Sequence, residues 1–95
     1  MDAQTLLVPH PLLDPEGYAR WHWGAYQALL SAPEEAGEAD WAEWGLMVDA
    51  LKRLAAHDPE AALSLAREIW DERERLQALG IRLPDWEAWR ARLGL

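Results

Sequence analysis

Residues 58–80 read DPEAALSLAREIWDERERLQALG, and this stretch decides the fold. Asp58 is a good N-cap, because its carboxylate can accept a free backbone N–H. Pro59 suits the first helical position, where no N–H is needed, and Glu60 complements the positive end of the helix dipole. Ala62, Leu65, Ala66, Ile69, Leu76 and Leu79 then recur at the spacing of one helical face. Asp71-Glu72-Arg73-Glu74-Arg75 is the solvated side, with Asp71 and Arg75 spaced for an i,i+4 ion pair. Gly80 suits a left-handed C-cap, with Ile81 making the apolar contact that follows it. The spacing predicts a helix over 59–79, roughly 31 Å long at about 1.5 Å per residue.

The same grammar extends outward. Asp14-Pro15-Glu16 repeats the start signal and predicts a helix over 14–31. Its apolar stripe is Tyr18, Trp21, Ala25, Tyr26 and Leu29. Trp23 and Leu30 lie off that stripe, so the helix is apolar nearly all round. Gly17 and Gly24 either weaken it, by up to about 1 kcal/mol each, or admit another backbone. Asp40, with Glu43 at the third helical position as in a capping box, opens a helix over 40–57. Its stripe is Trp41, Trp44, Val48, Leu51 and Ala55, widened by Met47 and Leu54. Asp85 caps a last helix over 85–93, with Trp86, Trp89 and Leu93 on one face and Gly94 ending it. So short a helix is marginal alone and must dock.

Residues 1–13 hold Pro9 and Pro11, which rule out a continuous helix, yet they are rich in Leu. They are expected to form an extended arm pinned to the body or held by a partner. The expected architecture is one all-α domain spanning 1–95: a compact bundle of three main helices, a short C-terminal helix and the arm. Asp-Pro-Glu occurs at 14–16 and 58–60, and DWAEW at 40–44 resembles DWEAW at 85–89. Convergent capping explains this better than duplication, since little between these anchors matches.

Composition narrows function by exclusion. Ninety-five residues make a single modest core, and there is no cysteine for a disulfide or thiolate metal site. No apolar run is long enough to cross a membrane, and no basic-then-apolar leader opens the chain; the expected compartment is the cytoplasm. The absence of Asn and Cys suits heat adaptation. Net charge is −8. Residues 1–51 carry nine acids and one base, Arg20, whereas residues 52–95 carry eight of each. Such a field disfavours direct binding to nucleic acid or to an anionic membrane.

No catalytic, cofactor-binding or metal-binding residues are assigned. His10, His22 and His57 fall in no metal-ligand pattern, no nucleophile elbow is present, and no glycine-rich phosphate loop occurs. The arginines at 67, 73, 75, 82, 90 and 92 are read as surface ion-pairing residues. The informative feature is seven tryptophans with no phenylalanine. Trp21, Trp44 and Trp89 are expected to stand in for Phe in the core. Trp23 and Trp70, together with Trp41 and Trp86, are expected to reach a partner, since Trp anchors interfaces and a buried indole N–H needs an acceptor. Glu34, Glu35, Glu38 and Glu43 form the acidic part of the expected partner site, a docking patch for a basic surface. The function expected is a small interaction or regulatory module that binds a protein, or itself. Two other readings are an acidic inhibitor imitating nucleic acid, with acids from Glu34 to Asp49 in an exposed ridge, and a small helical enzyme or ligand binder with a closed Trp-lined pocket.

Overall fold

A computed structural model describes residues 9–35 and 41–95. The chain is all-α: α1 Pro15–Ser31, α2 Trp44–His57, α3 Pro59–Asp71, α4 Arg73–Ala78 and α5 Trp86–Leu93, with a 3₁₀ turn at Pro33–Glu35. Among the described residues there is no strand. α1 packs on α2, α2 on α3, and α5 closes against both α2 and α3. Met47, Leu51, Leu65, Ile69, Leu76 and Trp89 lose all contact with solvent at the centre.

Capping follows the chemistry of the starts. The carboxylates of Asp14, Asp58 and Asp85 accept the backbone N–H of Gly17, Ala61 and Ala88. Gly17 has a specific reason to be glycine: a Cβ there would collide with the Asp14 carboxylate. What approaches it is therefore a capping side chain and not another backbone. Gly24 has open space around it, so no close approach occurs there either. Gly80 and Gly94 take φ of 99° and 80°. At each, the next residue's N–H returns to the carbonyl five back: Ile81 to Leu76 at 2.9 Å and Leu95 to Arg90 at 2.9 Å. Gly80 is the left-handed stop expected there, and Gly94, expected only to end its helix, ends it in the same way.

Four expectations need correction. The buried face of α1 is Tyr18, Ala19, Trp23, Tyr26 and Leu30. Trp23 is 2% exposed and Trp21 is 50% exposed, the reverse of their expected roles. A helix apolar nearly all round offers several stripes, and contact with α2 selects the one running through 19, 23, 26 and 30. Second, α2 begins at Trp44. Glu43 occupies the cap position without a side-chain capping bond, because its carboxylate accepts the Tyr18 hydroxyl at 3.0 Å. The expected cap Asp40 lies outside the described residues.

Third, the helix expected over 59–79 breaks at Glu72. Its N–H returns to the Ile69 carbonyl, and the Arg73 guanidinium donates to the Trp70 carbonyl at 3.2 Å, satisfying part of the interrupted ladder. Asp71 consequently pairs with Arg67 at 3.3 Å, while Arg75 pairs with Glu72 at 3.1 Å. Arg75 also donates to the Leu30 carbonyl at the end of α1. Fourth, the described part of the arm is a turn. His10 Nδ1 accepts the Leu12 N–H at 3.1 Å, and the His10 carbonyl accepts the Asp14 N–H at 2.8 Å. Leu12 and Leu13 are left 61% and 84% exposed, not pinned. Residues 1–8 lie outside the described residues.

Candidate functional site

Two aromatic clusters stand out, one in each half of the chain. The first is built by α1 and the turn that leads into α2. Tyr18, Trp21, His22 and Tyr26 sit on successive turns of one side of α1. The His22 ring lies 4.4 Å from Tyr18 and 5.1 Å, edge-on, from Trp21. Tyr26 stacks on Trp41 at 4.9 Å, and both contact Trp44. Pro9, His10 and Pro11 face this array across an open groove of about 480 Å³, whose other walls are Tyr18, Trp21, His22 and Glu43.

The electrostatics of this cluster follow from partial burial beside one carboxylate. Burial raises the Tyr18 pKa above its ordinary value, and the hydrogen bond to Glu43 and its negative charge add to the shift. Tyr26 is pushed up to about 12, mainly by burial and then by the charges of Glu43 and Tyr18. His22 moves the other way. Burial lowers its pKa because the imidazolium is the form that loses hydration, and the charge of Glu43 offsets part of that loss. Both phenols are thus held in their protonated form at neutral pH, and burial favours the neutral form of the imidazole. Among the described residues, no cation lies over any of its rings and Glu43 has no ion-pair partner. Arg20, the one base of the first half, is tied to Glu16 at 3.2 Å.

The second cluster is built by α3, α4 and α5. Trp70 and Trp86 meet edge-on at 5.7 Å. The Arg73 guanidinium lies 3.6 Å from the Trp70 ring centre, and that of Arg67 lies 4.9 Å from Trp86 and 5.3 Å from Trp70. The Trp70 indole N–H donates to the Pro84 carbonyl at 3.2 Å. Behind it, Trp89 is fully buried and donates to the Ala66 carbonyl at 3.0 Å, fastening α5 to α3. The Trp70 and Trp89 indole N–H groups have their acceptors, and each partly exposed ring has its cation.

The residues expected to meet a partner are distributed as follows. Trp41 and Glu43 join the first cluster, and Trp70 and Trp86 form the second. Trp41, Trp70 and Trp86 are half-buried, and Trp23 is in the core, where its indole N–H lacks a partner among the described residues. Glu34 is exposed on the 3₁₀ turn. Glu38, Asp40 and the side chain of Glu35 lie outside the described residues. The described acids from Glu34 to Asp49 sit on a turn, a helix cap and a helix face. Among the described residues no polar or charged side chain is buried, and no group of three His, Cys, Asp or Glu could hold a metal.

Sequence reasoning missed Tyr18, Trp21 and His22 as a group. Tyr18 and Trp21 are read from their spacing as part of a core stripe, and His22 is given no site role. Comparison with family models, with curated proteins and with solved structures found no match.

Proposed function

We propose that this chain is a small protein-interaction module whose α1–α2 aromatic face docks a basic segment of a protein partner. The observation that carries this reading is Trp21, half-exposed beside the Tyr18–Glu43 pair, in a cluster with an acid and, among the described residues, no cation over its rings. Large indoles at the edge of an open groove are the side chains that anchor interfaces. Leu12 and Leu13 extend the exposed apolar surface in the segment that bounds the groove, and such surface is costly on a permanently free chain. The nine acids of residues 1–51 against one base supply long-range attraction for a basic partner and repulsion for an acidic one.

The test is direct titration with synthetic peptides. A Gly/Ser peptide carrying basic residues at alternate positions should bind and quench Trp fluorescence, and added salt should weaken it. Its acidic counterpart should not bind. If no basic peptide binds at low salt, this reading fails. If sedimentation shows a concentration-dependent dimer that basic peptide does not dissociate, the face serves a second copy instead.

A further inference from the structure

We infer that the groove between Pro9–Pro11 and α1 receives one arginine side chain of that basic segment, its guanidinium over the Trp21 ring and its N–H groups on the Glu43 carboxylate. This rests on the reading above and adds the chemical identity of the contact.

Three observations converge on arginine. First, this chain shows how its own tryptophans are completed. Trp70 and Trp86 are partly buried and carry guanidinium groups 3.6 Å and 4.9 Å from their ring centres. Trp21 is 50% exposed with no cation over it among the described residues, so the same arrangement is there without its cation. Second, the groove supplies the counter-charge. Tyr18 donates to one carboxylate oxygen of Glu43 at 3.0 Å and holds that group at the groove wall. The other oxygen has no partner among the described residues. A planar guanidinium can lie against an indole and pair edge-on with a carboxylate at once, whereas an ammonium offers no flat face. Third, among the described residues no arginine or lysine is left to fill it: Arg20 is engaged by Glu16, and the next arginine or lysine in the chain is Lys52.

The walls fit one long side chain. Pro9 and Pro11 line one side and Tyr18 and Trp21 the other, giving apolar surfaces for the arginine methylenes. The Trp41–Trp44 side is already filled by Tyr26 stacked at 4.9 Å, which leaves Trp21 as the ring that faces an incoming group.

The experiment uses the intact chain and three Gly/Ser peptides, carrying arginine, lysine or uncharged citrulline at alternate positions. The arginine peptide should bind roughly tenfold more tightly than the lysine peptide, and the citrulline peptide should be weakest. Trp21→Ala and Glu43→Gln should each weaken the arginine peptide by about tenfold and remove its advantage over lysine. Leu63→Ala, an exposed change on α3, should leave both unaltered. A measurement on the unaltered protein covers the case of a variant that fails to fold. On titration with N-acetyl-arginine amide, the Trp21 indole N–H and His22 ring resonances should shift while those of Trp70 stay fixed. Equal affinity for arginine and lysine, unchanged binding in Trp21→Ala, or shifts at Trp70 without shifts at Trp21 would each overturn the inference. In the first two cases basic peptides can still bind the α1–α2 face, so the broader reading survives; if the shifts fall at Trp70 alone, or if no basic peptide binds, both fall.

Discussion

The two aromatic clusters use the same side chains and end in different chemical states. In the α3–α5 cluster the chain completes its own contacts: indole N–H groups reach carbonyls, and guanidinium groups lie over the rings. In the α1–α2 cluster the rings stack on one another around a carboxylate, and among the described residues no cation covers them. The difference is inherited from charge placement along the chain. Arginine is interleaved with acids after residue 52 and nearly absent before it. A Trp in the second half therefore finds a cation within a turn or two, whereas in the first half the one arginine, Arg20, is held by Glu16. The first cluster is where surface is left over for something else.

The strongest way to test the claim that the second cluster is structural is to remove its anchor. Trp89→Ala deletes a fully buried ring and leaves the Ala66 carbonyl without its donor. A loss of about 3–5 kcal/mol is expected, read as a lower midpoint in urea denaturation. A midpoint close to that of the parent chain would mean that α5 contributes little to the core.

A smaller contrast separates the partly exposed rings. Arg73→Ala removes the cation over Trp70 and the bond to the Trp70 carbonyl at the α3–α4 break. It should cost about 1 kcal/mol. Trp21→Ala should change stability by less than about 0.5 kcal/mol, because half of that ring already faces solvent. If Trp21→Ala proved the more destabilising of the two, the division into a finished and an unfinished cluster would collapse. Gly24 offers a change of opposite sign on the same helix. It sits within α1 with open space around it, so Gly24→Ala should stabilise the fold by about 0.5–1 kcal/mol. A rise in thermal midpoint without altered peptide binding is the expected outcome.

The legibility of these features in the sequence was uneven for physical reasons. The starts at Asp14, Asp58 and Asp85 and the stops at Gly80 and Gly94 could be read, because capping is local chemistry. The inward set of α3 was also clear, since its polar side is unambiguous. The face of α1 was not. With Trp21, Trp23, Tyr26, Leu29 and Leu30 distributed around the helix, only the shape of α2 decides which of them is covered. The break at Glu72 was likewise hidden, because its stabilising partners, the Arg73–Trp70 contact and the Arg75–Leu30 bond, are tertiary or depend on the break itself. Glu43 was recognised as an acid at the head of α2, but its bond to Tyr18 spans 25 residues and has no sequence signature.

The finest distinction between the clusters is their response to pH. His22 stands against Tyr18, Trp21 and Tyr26, with Glu43 the nearby charge, and burial lowers its pKa below the ordinary 6.5. A base whose folded pKa is depressed is protonated first in the unfolded chain. Its contribution is therefore fully present above about pH 6.5 and is withdrawn as pH falls through that value toward the lower folded one. The parent chain should lose thermal stability over this window more steeply than His22→Gln, the difference between them isolating this ring from the other histidines. The effect is small, because His22 is only partly buried and Glu43 opposes the shift. Bound cation at Trp21 would deepen it, since a charged His22 would then repel the ligand, so basic-peptide affinity should also fall on mild acidification in the parent and less so in His22→Gln. Parallel slopes in both measurements would show that His22 is solvated enough to titrate freely, and that the groove is more open to water than the contacts of its rings imply.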